Sequence, residues 1–85
     1  MIVRVAAIQP QAFQGEEEHR NESGALSYLD QAAEAGAEVA VFPEGYPGPY
    51  NGPLNFDPFP ALCEKARDHG MFVIASKVLR AAELG

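Results

Sequence analysis

Three short apolar runs, separated by two much longer intervals, most constrain how this 85-residue chain can fold. The runs are Ile2–Ile8, Glu38–Phe42 and Met71–Ala75. Their length and their Val, Ile and Phe content predict strands, and the first is predicted to be largely buried. Strands that alternate with helices imply an α/β sheet with crossover connections, right-handed where the strands are parallel.

The first interval carries a helical pattern. Within Ser23–Ala35, apolar residues recur at spacings of three and four, which predicts an amphipathic helix. The residues of this apolar stripe are Ala25, Tyr28, Leu29, Ala32 and Ala33. Asn21 is a start signal, and Gly36 is the expected C-terminal cap. The acidic run Glu16–Glu18 fits either a solvated loop or a first helical turn.

The second interval contains a loop and then a second helix. The segment Pro43–Pro53 is rich in Pro and Gly, and because proline fixes φ we expect it to be rigid. Asp57 and Pro58 are expected as the N-cap and first residue of the helix, which Gly70 ends. Three residues are expected on its apolar face: Leu62, Cys63 and Ala66. The predicted order is therefore β-α-β-loop-α-β.

The core available to this fold is small. Apolar residues make up 47% of the chain, but 14 of the 40 are alanines, which bury little area each. A domain of this length buries only about 60–65% of the surface that its unfolded chain exposes. The composition therefore suggests a piece that normally packs against something else.

The charge and cysteine content narrow the class of protein. The net charge of −6, with six Lys and Arg residues and no basic cluster, argues against nucleic-acid and anionic-membrane partners. A single cysteine fits a reducing compartment. The sequence shows neither a signal peptide nor an apolar run of the ~20 residues that a membrane span needs. We therefore expect a soluble, cytoplasmic protein.

Glu44 stands one residue beyond Phe42–Pro43, where the second strand is predicted to end. Ligands of open α/β sheets gather at the carboxyl ends of strands, because the loops there converge on a crevice. A carboxylate flanked by apolar groups in such a crevice suits a general base. From spacing alone, an exposed loop glutamate explains Glu44 equally well.

Cys63 and the two histidines are weaker candidates. On an apolar helix face Cys63 is expected to act as a small hydrophobe, because a reactive thiol needs an accessible, electropositive setting. His69 suits the negative end of a helix dipole, and His19 lies in an acidic stretch. Neither histidine has a partner at metal-ligand spacing, so no metal site is predicted.

The remaining candidates are two tyrosines and a lysine. Tyr46 and Tyr50 are equally compatible with lining a pocket and with packing the loop. Lys77 follows the third strand and is expected to be solvated. The segment Gly45–Gly52 lacks both GxxxxGK[ST] and GxGxxG, so a nucleotide site is poorly supported.

Three segments together carry a family resemblance: VRVAAIQPQ, ALSYLDQAAEAGAEVAVFPEGYPG and LCEKARDHGMFVIAS. In this order and spacing they resemble the N-terminal part of the nitrilase superfamily of carbon–nitrogen hydrolases. The most specific element is AGAEVAVFPE, a Gly-Ala turn into an apolar strand that ends in Phe-Pro-Glu. The resemblance spans nearly the whole chain.

The resemblance implies an αββα sandwich and a catalytic triad of Glu, Lys and Cys. The family glutamate, a general base, aligns with Glu44. The cysteine attacks a nitrile or amide carbon, and the lysine stabilises the tetrahedral intermediate. The resemblance further implies a small amide, carbamoyl or nitrile substrate, no cofactor, and a homo-oligomeric full-length protein.

Two departures from the family pattern matter. The family's Lys and Cys lie well beyond the third strand, so Lys77 is too close to that strand and Cys63 is misplaced for these roles. We therefore interpret residues 1–85 as a partial carbon–nitrogen hydrolase domain, truncated after the third strand and inactive alone. Its sheet would have unpaired edges and would lack the counterpart sheet.

Two other functions remain open from the sequence. The chain could be a catalytically inactive α/β module that binds a partner or regulates a full-length relative, which would fit the thin core and the missing triad members. A nucleotide-binding α/β domain is the weaker alternative.

Overall fold

The structure, a computed structural model, describes residues 2–49 and 56–75. It contains three strands, β1 (Val5–Ala7), β2 (Val39–Val41) and β3 (Phe72–Ile74), and two α-helices, α1 (Arg20–Glu34) and α2 (Phe59–His69). A 3₁₀ turn, Gly15–Glu17, precedes α1. The strands form one parallel sheet in the order β1-β2-β3. The predicted alternation of strands and helices is confirmed, with each strand shorter than its apolar run.

One face of the sheet carries the hydrophobic core. Ala6, Ala40 and Val73 lie side by side across the three strands and pack with the helices. Successive crossovers of one hand, advancing in one direction, place their helices on the same face of a sheet. The buried core residues are Ala25, Leu29, Ala32, Ala40, Phe42, Tyr46, Leu62 and Met71. Both helices therefore cover this face and contact each other.

The opposite face of the sheet is apolar and open to solvent. Side chains alternate between the faces of a strand, so this face carries Val5 and Phe72, which pair with Val39, and Ile74, which pairs with Val41. Val5, Phe72 and Ile74 are 59%, 76% and 56% exposed. The prediction of a largely buried first strand is wrong, because within the described residues helices cover only one face. We call this face the open sheet face.

Helix α1 confirms the predicted stripe but begins earlier than predicted. Its first residue is Arg20, so Asn21 lies inside the helix instead of capping it. At its end, Gly36 has a φ of +86°. The Gly36 N–H donates to the Ala33 carbonyl and the Ala37 N–H to the Ala32 carbonyl, each over 3.0 Å. This is a Schellman motif, and it confirms Gly36 as the predicted terminator.

Helix α2 begins one residue later than predicted and ends at the predicted glycine. The Asp57 side chain accepts a hydrogen bond from the Phe59 N–H at 3.1 Å, with Pro58 as the capping position. Gly70, with a φ of +62°, ends the helix as predicted. Of the three residues expected on the apolar face, Leu62 is buried and Ala66 half-buried. Cys63 is exposed, and it lines an apolar groove together with Leu62 and Ala66.

Candidate functional site

Glu44 lies at the corner of a tight turn that directly follows β2, the central strand. The Tyr46 N–H donates to the Pro43 carbonyl over 3.2 Å, which closes a four-residue turn. Gly45 has a φ of +80°, and a positive φ at the third position is the mark of a type II turn. Glu44 therefore occupies the second position of the turn. Its side chain is exposed at the carboxyl edge of the sheet.

The residues that follow Glu44 are buried. Gly45, Tyr46 and Pro47 are all in the buried class, with Tyr46 only 1% exposed. The Tyr46 ring packs against Phe42, with the ring centroids 5.4 Å apart and the planes tilted by 43°. Of the two roles left open for Tyr46, the structure therefore shows packing. Tyr50 lies outside the described residues.

The Tyr46 hydroxyl reaches the first turn of α1. It donates a hydrogen bond to the Asn21 backbone carbonyl at 3.3 Å, a contact between residues 25 positions apart. Gly24 leaves room for it, because a Cβ at that position would stand 3.2 Å from the hydroxyl oxygen. The turn that carries Glu44 is therefore attached to α1 as well as to the end of β2.

The side chain of Asn21 holds the segment that follows β1. Its Nδ2 donates to the Phe13 carbonyl at 2.9 Å, and its Oδ1 accepts from the Phe13 N–H at 2.7 Å. The Arg20 guanidinium lies 4.2 Å from the centroid of the Phe13 ring. Asn21 is fully buried. The connections that leave the carboxyl ends of β1 and β2 are thus both bound to the first turns of α1.

Of the three acidic residues before α1, two are exposed and one is buried. Glu16 and Glu17 are exposed in the 3₁₀ turn, and Glu17 pairs with Arg20 at 2.9 Å. Glu18 is only 6% exposed, and its carbonyl accepts the Asn21 N–H at 3.0 Å. Charge patterning alone did not distinguish Glu18 from its neighbours, because three consecutive acids read as one solvated stretch.

A second charged cluster joins the two helices on their outer side. Asp30 of α1 accepts a hydrogen bond from His69 Nε2 at 2.7 Å, and Lys65 Nζ lies 3.2 Å from the same oxygen. The hydrogen bond from His69, and then that from Lys65, hold the pKa of Asp30 below its ordinary value of 3.8. Sequence spacing could not reveal this cluster, because its members come from different helices.

Acid titration tests this cluster. Because folding lowers the pKa of Asp30, the ionised carboxylate stabilises the fold above its unfolded pKa, and this contribution is lost as the pH falls through the lower folded value. Asp30→Asn should therefore destabilise the protein at about pH 5, and the difference from the parent should shrink toward about pH 2. Urea unfolding across this range measures it, with Asp68→Asn, an exposed acid on α2, as the control. A difference that does not vary with pH would contradict the assignment.

Cys63 and Glu44 belong to different surfaces. Cys63 lines an apolar groove of about 220 Å³ between α2 and β3, together with Phe59, Met71 and Phe72 among others. Glu44 does not line this groove. Lys77, the other triad-type residue, lies outside the described residues. The candidate site that the structure describes is therefore Glu44 on its attached turn.

Within residues 2–49 and 56–75, no group of three or more His, Cys, Asp and Glu side chains is arranged to hold a metal ion. No helix in the same residues is long and apolar enough to cross a membrane. No protein-family model, curated protein or solved structure matches the chain. A functional assignment therefore depends on the residue pattern around Glu44 and on the geometry of its turn.

Proposed function

We propose that these 85 residues are the N-terminal part of a carbon–nitrogen hydrolase of the nitrilase superfamily, with Glu44 as its general base. The observation that carries the proposal is the position of Glu44 at the exposed corner of a tight turn, at the carboxyl end of the central strand. Catalytic groups of α/β proteins concentrate at this edge. The pattern AGAEVAVFPE leads directly into the turn.

The open sheet face supports the proposed αββα architecture. Both helices cover one face of the sheet, and the other face presents Val5, Phe72 and Ile74 to solvent. In a sandwich of this kind, two sheets pack face to face about 10 Å apart, and their side chains interdigitate. A second β-α half would bury the open sheet face and enlarge a core that is rich in alanine.

The chemistry of the proposed enzyme assigns Glu44 three proton transfers. Its carboxylate first takes the proton of a cysteine thiol, and the thiolate attacks the carbonyl carbon to form a C–S bond. A lysine stabilises the oxyanion of the tetrahedral intermediate. Breakdown of that intermediate cleaves the C–N bond, and Glu44 returns the proton to the leaving amine. Water then cleaves the thioester with Glu44 as base again.

The partners of Glu44 in this scheme lie outside residues 1–85. The proposed Lys and Cys follow the third strand in the full-length protein, which we propose to be a homo-oligomer. The 85-residue chain alone is expected to be inactive, because residues of a triad act as a unit. For the substrate, we favour a small non-peptide amide or carbamoyl compound over a nitrile.

An assay of the full-length protein tests the proposal. We expect ammonia release from small amides or carbamoyl compounds, and an acyl group on one cysteine, seen by mass spectrometry when turnover is interrupted. Finding the Lys and Cys codons downstream of β3 is the first requirement. A complete reading frame without them would remove the hydrolase proposal.

The open sheet face also favours a second candidate function, an inactive α/β module that binds a partner through that face. The two functions differ in the behaviour of the purified 85-residue chain. A monomer with a cooperative melt favours the module. Insolubility, or a compact state without fixed packing, favours a part of a larger domain.

A further inference from the structure

We propose that Tyr46 and Asn21 are positioning residues that determine where the Glu44 carboxylate stands. Neither is proposed to touch substrate, and each acts through the Pro43–Tyr46 turn. The catalytic consequence of this inference rests on the function proposed above. The structural consequence, a turn held in one place by a buried tyrosine, can be tested without it.

The Tyr46 side chain anchors the turn through a buried hydroxyl. Tyr46 is 1% exposed, and its hydroxyl donates to the Asn21 carbonyl. Breaking a hydrogen bond of a buried hydroxyl costs free energy, because water does not readily replace the lost contact. Movement of the turn away from α1 would break this bond and separate the Tyr46 ring from Phe42. The turn is therefore restricted to the position in which the hydroxyl reaches Asn21.

Glu44 lies two residues from this anchor. Glu44 and Tyr46 belong to one four-residue turn, which the bond from the Tyr46 N–H to the Pro43 carbonyl closes. Glu44 itself is exposed, so its own packing does not hold it. Catalytic groups work best when held within about 0.5 Å of the productive geometry. The buried Tyr46 supplies that restraint from two residues away.

Asn21 joins two connections at the same edge of the sheet. Its carbonyl accepts the Tyr46 hydroxyl, and its side-chain amide pairs with both backbone groups of Phe13. The segment after β1 and the turn after β2 are therefore held against one residue. Asn21 therefore links the Pro43–Tyr46 turn to the segment after β1.

Gly24 provides a variant that moves the hydroxyl without removing it. In Gly24→Ala the new Cβ would stand 3.2 Å from the Tyr46 hydroxyl oxygen, so the phenol must shift by a few tenths of an ångström. Alanine is also a better helix former than glycine. Measured on the folded variant, a purely structural role for Tyr46 predicts the parent kcat, whereas a positioning role predicts a lower kcat.

The experiment compares Tyr46→Phe and Gly24→Ala with Tyr28→Phe in the full-length protein. Tyr28 is a matched control, because its hydroxyl also anchors a loop to α1, by accepting the Gln11 N–H at 3.1 Å. We expect kcat to fall about 10- to 100-fold in Tyr46→Phe and about 3- to 10-fold in Gly24→Ala, with KM little changed. We expect Tyr28→Phe to retain the parent kcat.

Amide hydrogen exchange provides a readout that needs no activity. In Tyr46→Phe, exchange of the backbone N–H at position 46 should accelerate at least about tenfold, while that of the Ala37 N–H stays unchanged. Unchanged exchange at position 46 would overturn the inference whether or not the protein is a hydrolase. Glu44-dependent hydrolysis with the same kcat in Tyr46→Phe and Tyr28→Phe would overturn it too. Absence of any hydrolysis would instead count against the proposed function.

Discussion

Glu44→Gln is expected to lower turnover of the full-length enzyme by about 10²- to 10⁴-fold, the usual contribution of a general base. The amide keeps the shape of the side chain but cannot accept the thiol proton. Because Glu44 is exposed at a turn corner, the free energy of unfolding should change by no more than about 0.5 kcal/mol. Steady-state kinetics and urea unfolding of the same preparation measure the two effects.

The matched control for this variant is Glu64→Gln, which makes the same chemical change at an exposed position on α2. It should retain both turnover and stability. Near-normal turnover in Glu44→Gln would remove Glu44 from the mechanism. A large loss of stability would show that the carboxylate has a structural role that its exposure does not indicate.

Phe72→Asp is the second substitution with a large expected effect, because it tests what covers the open sheet face. If a second sheet packs there in the full-length protein, the substitution buries an unpaired charge and should cost about 3–5 kcal/mol in urea unfolding. If the face stays in solvent, where Phe72 is 76% exposed, the change should be within about 0.5 kcal/mol.

Gln31→Glu is the control for the added charge, since Gln31 lies exposed on the outer side of α1. It should leave stability nearly unchanged in either arrangement. Phe72→Leu keeps the position apolar and should cost less than Phe72→Asp if the face is buried. Equal, small effects from all three variants would contradict the sandwich architecture and favour the binding module.

Periodicity and turn residues were sufficient to predict the elements of the fold but not their limits. The apolar stripe of α1 and its end at Gly36 follow from local sequence, because side-chain spacing and a positive φ are local properties. The start of α1 could not be predicted from the local sequence, because Asn21 uses its amide to bind Phe13 instead of capping the helix. Tertiary contacts changed the role of a residue that local rules had assigned.

In the candidate site, too, some features follow from the local sequence and others depend on tertiary contacts. The position of Glu44 at the end of β2 follows from the order of elements and is as predicted. The burial of Tyr46 could not be predicted from the order of elements, because it depends on α1 lying beside the turn. Gly24, within an otherwise regular helical pattern, was the available signal, since a glycine inside a helix often marks close packing. The exposure of Cys63 likewise depends on how α2 is rotated against the sheet.

The alanines that make the core thin also determine how far apart the helix and sheet layers lie. Ala25 and Ala32 of α1 and Ala40 of β2 are buried in the same cluster, and their small side chains let the helix lie close to the sheet. A phenol has a fixed length, and Tyr46 reaches the Asn21 carbonyl across that same separation. A larger residue at Ala25, one turn beyond Asn21, would widen the layer spacing and draw the hydroxyl out of range. The volume of the core side chains therefore limits where the Glu44 turn can lie.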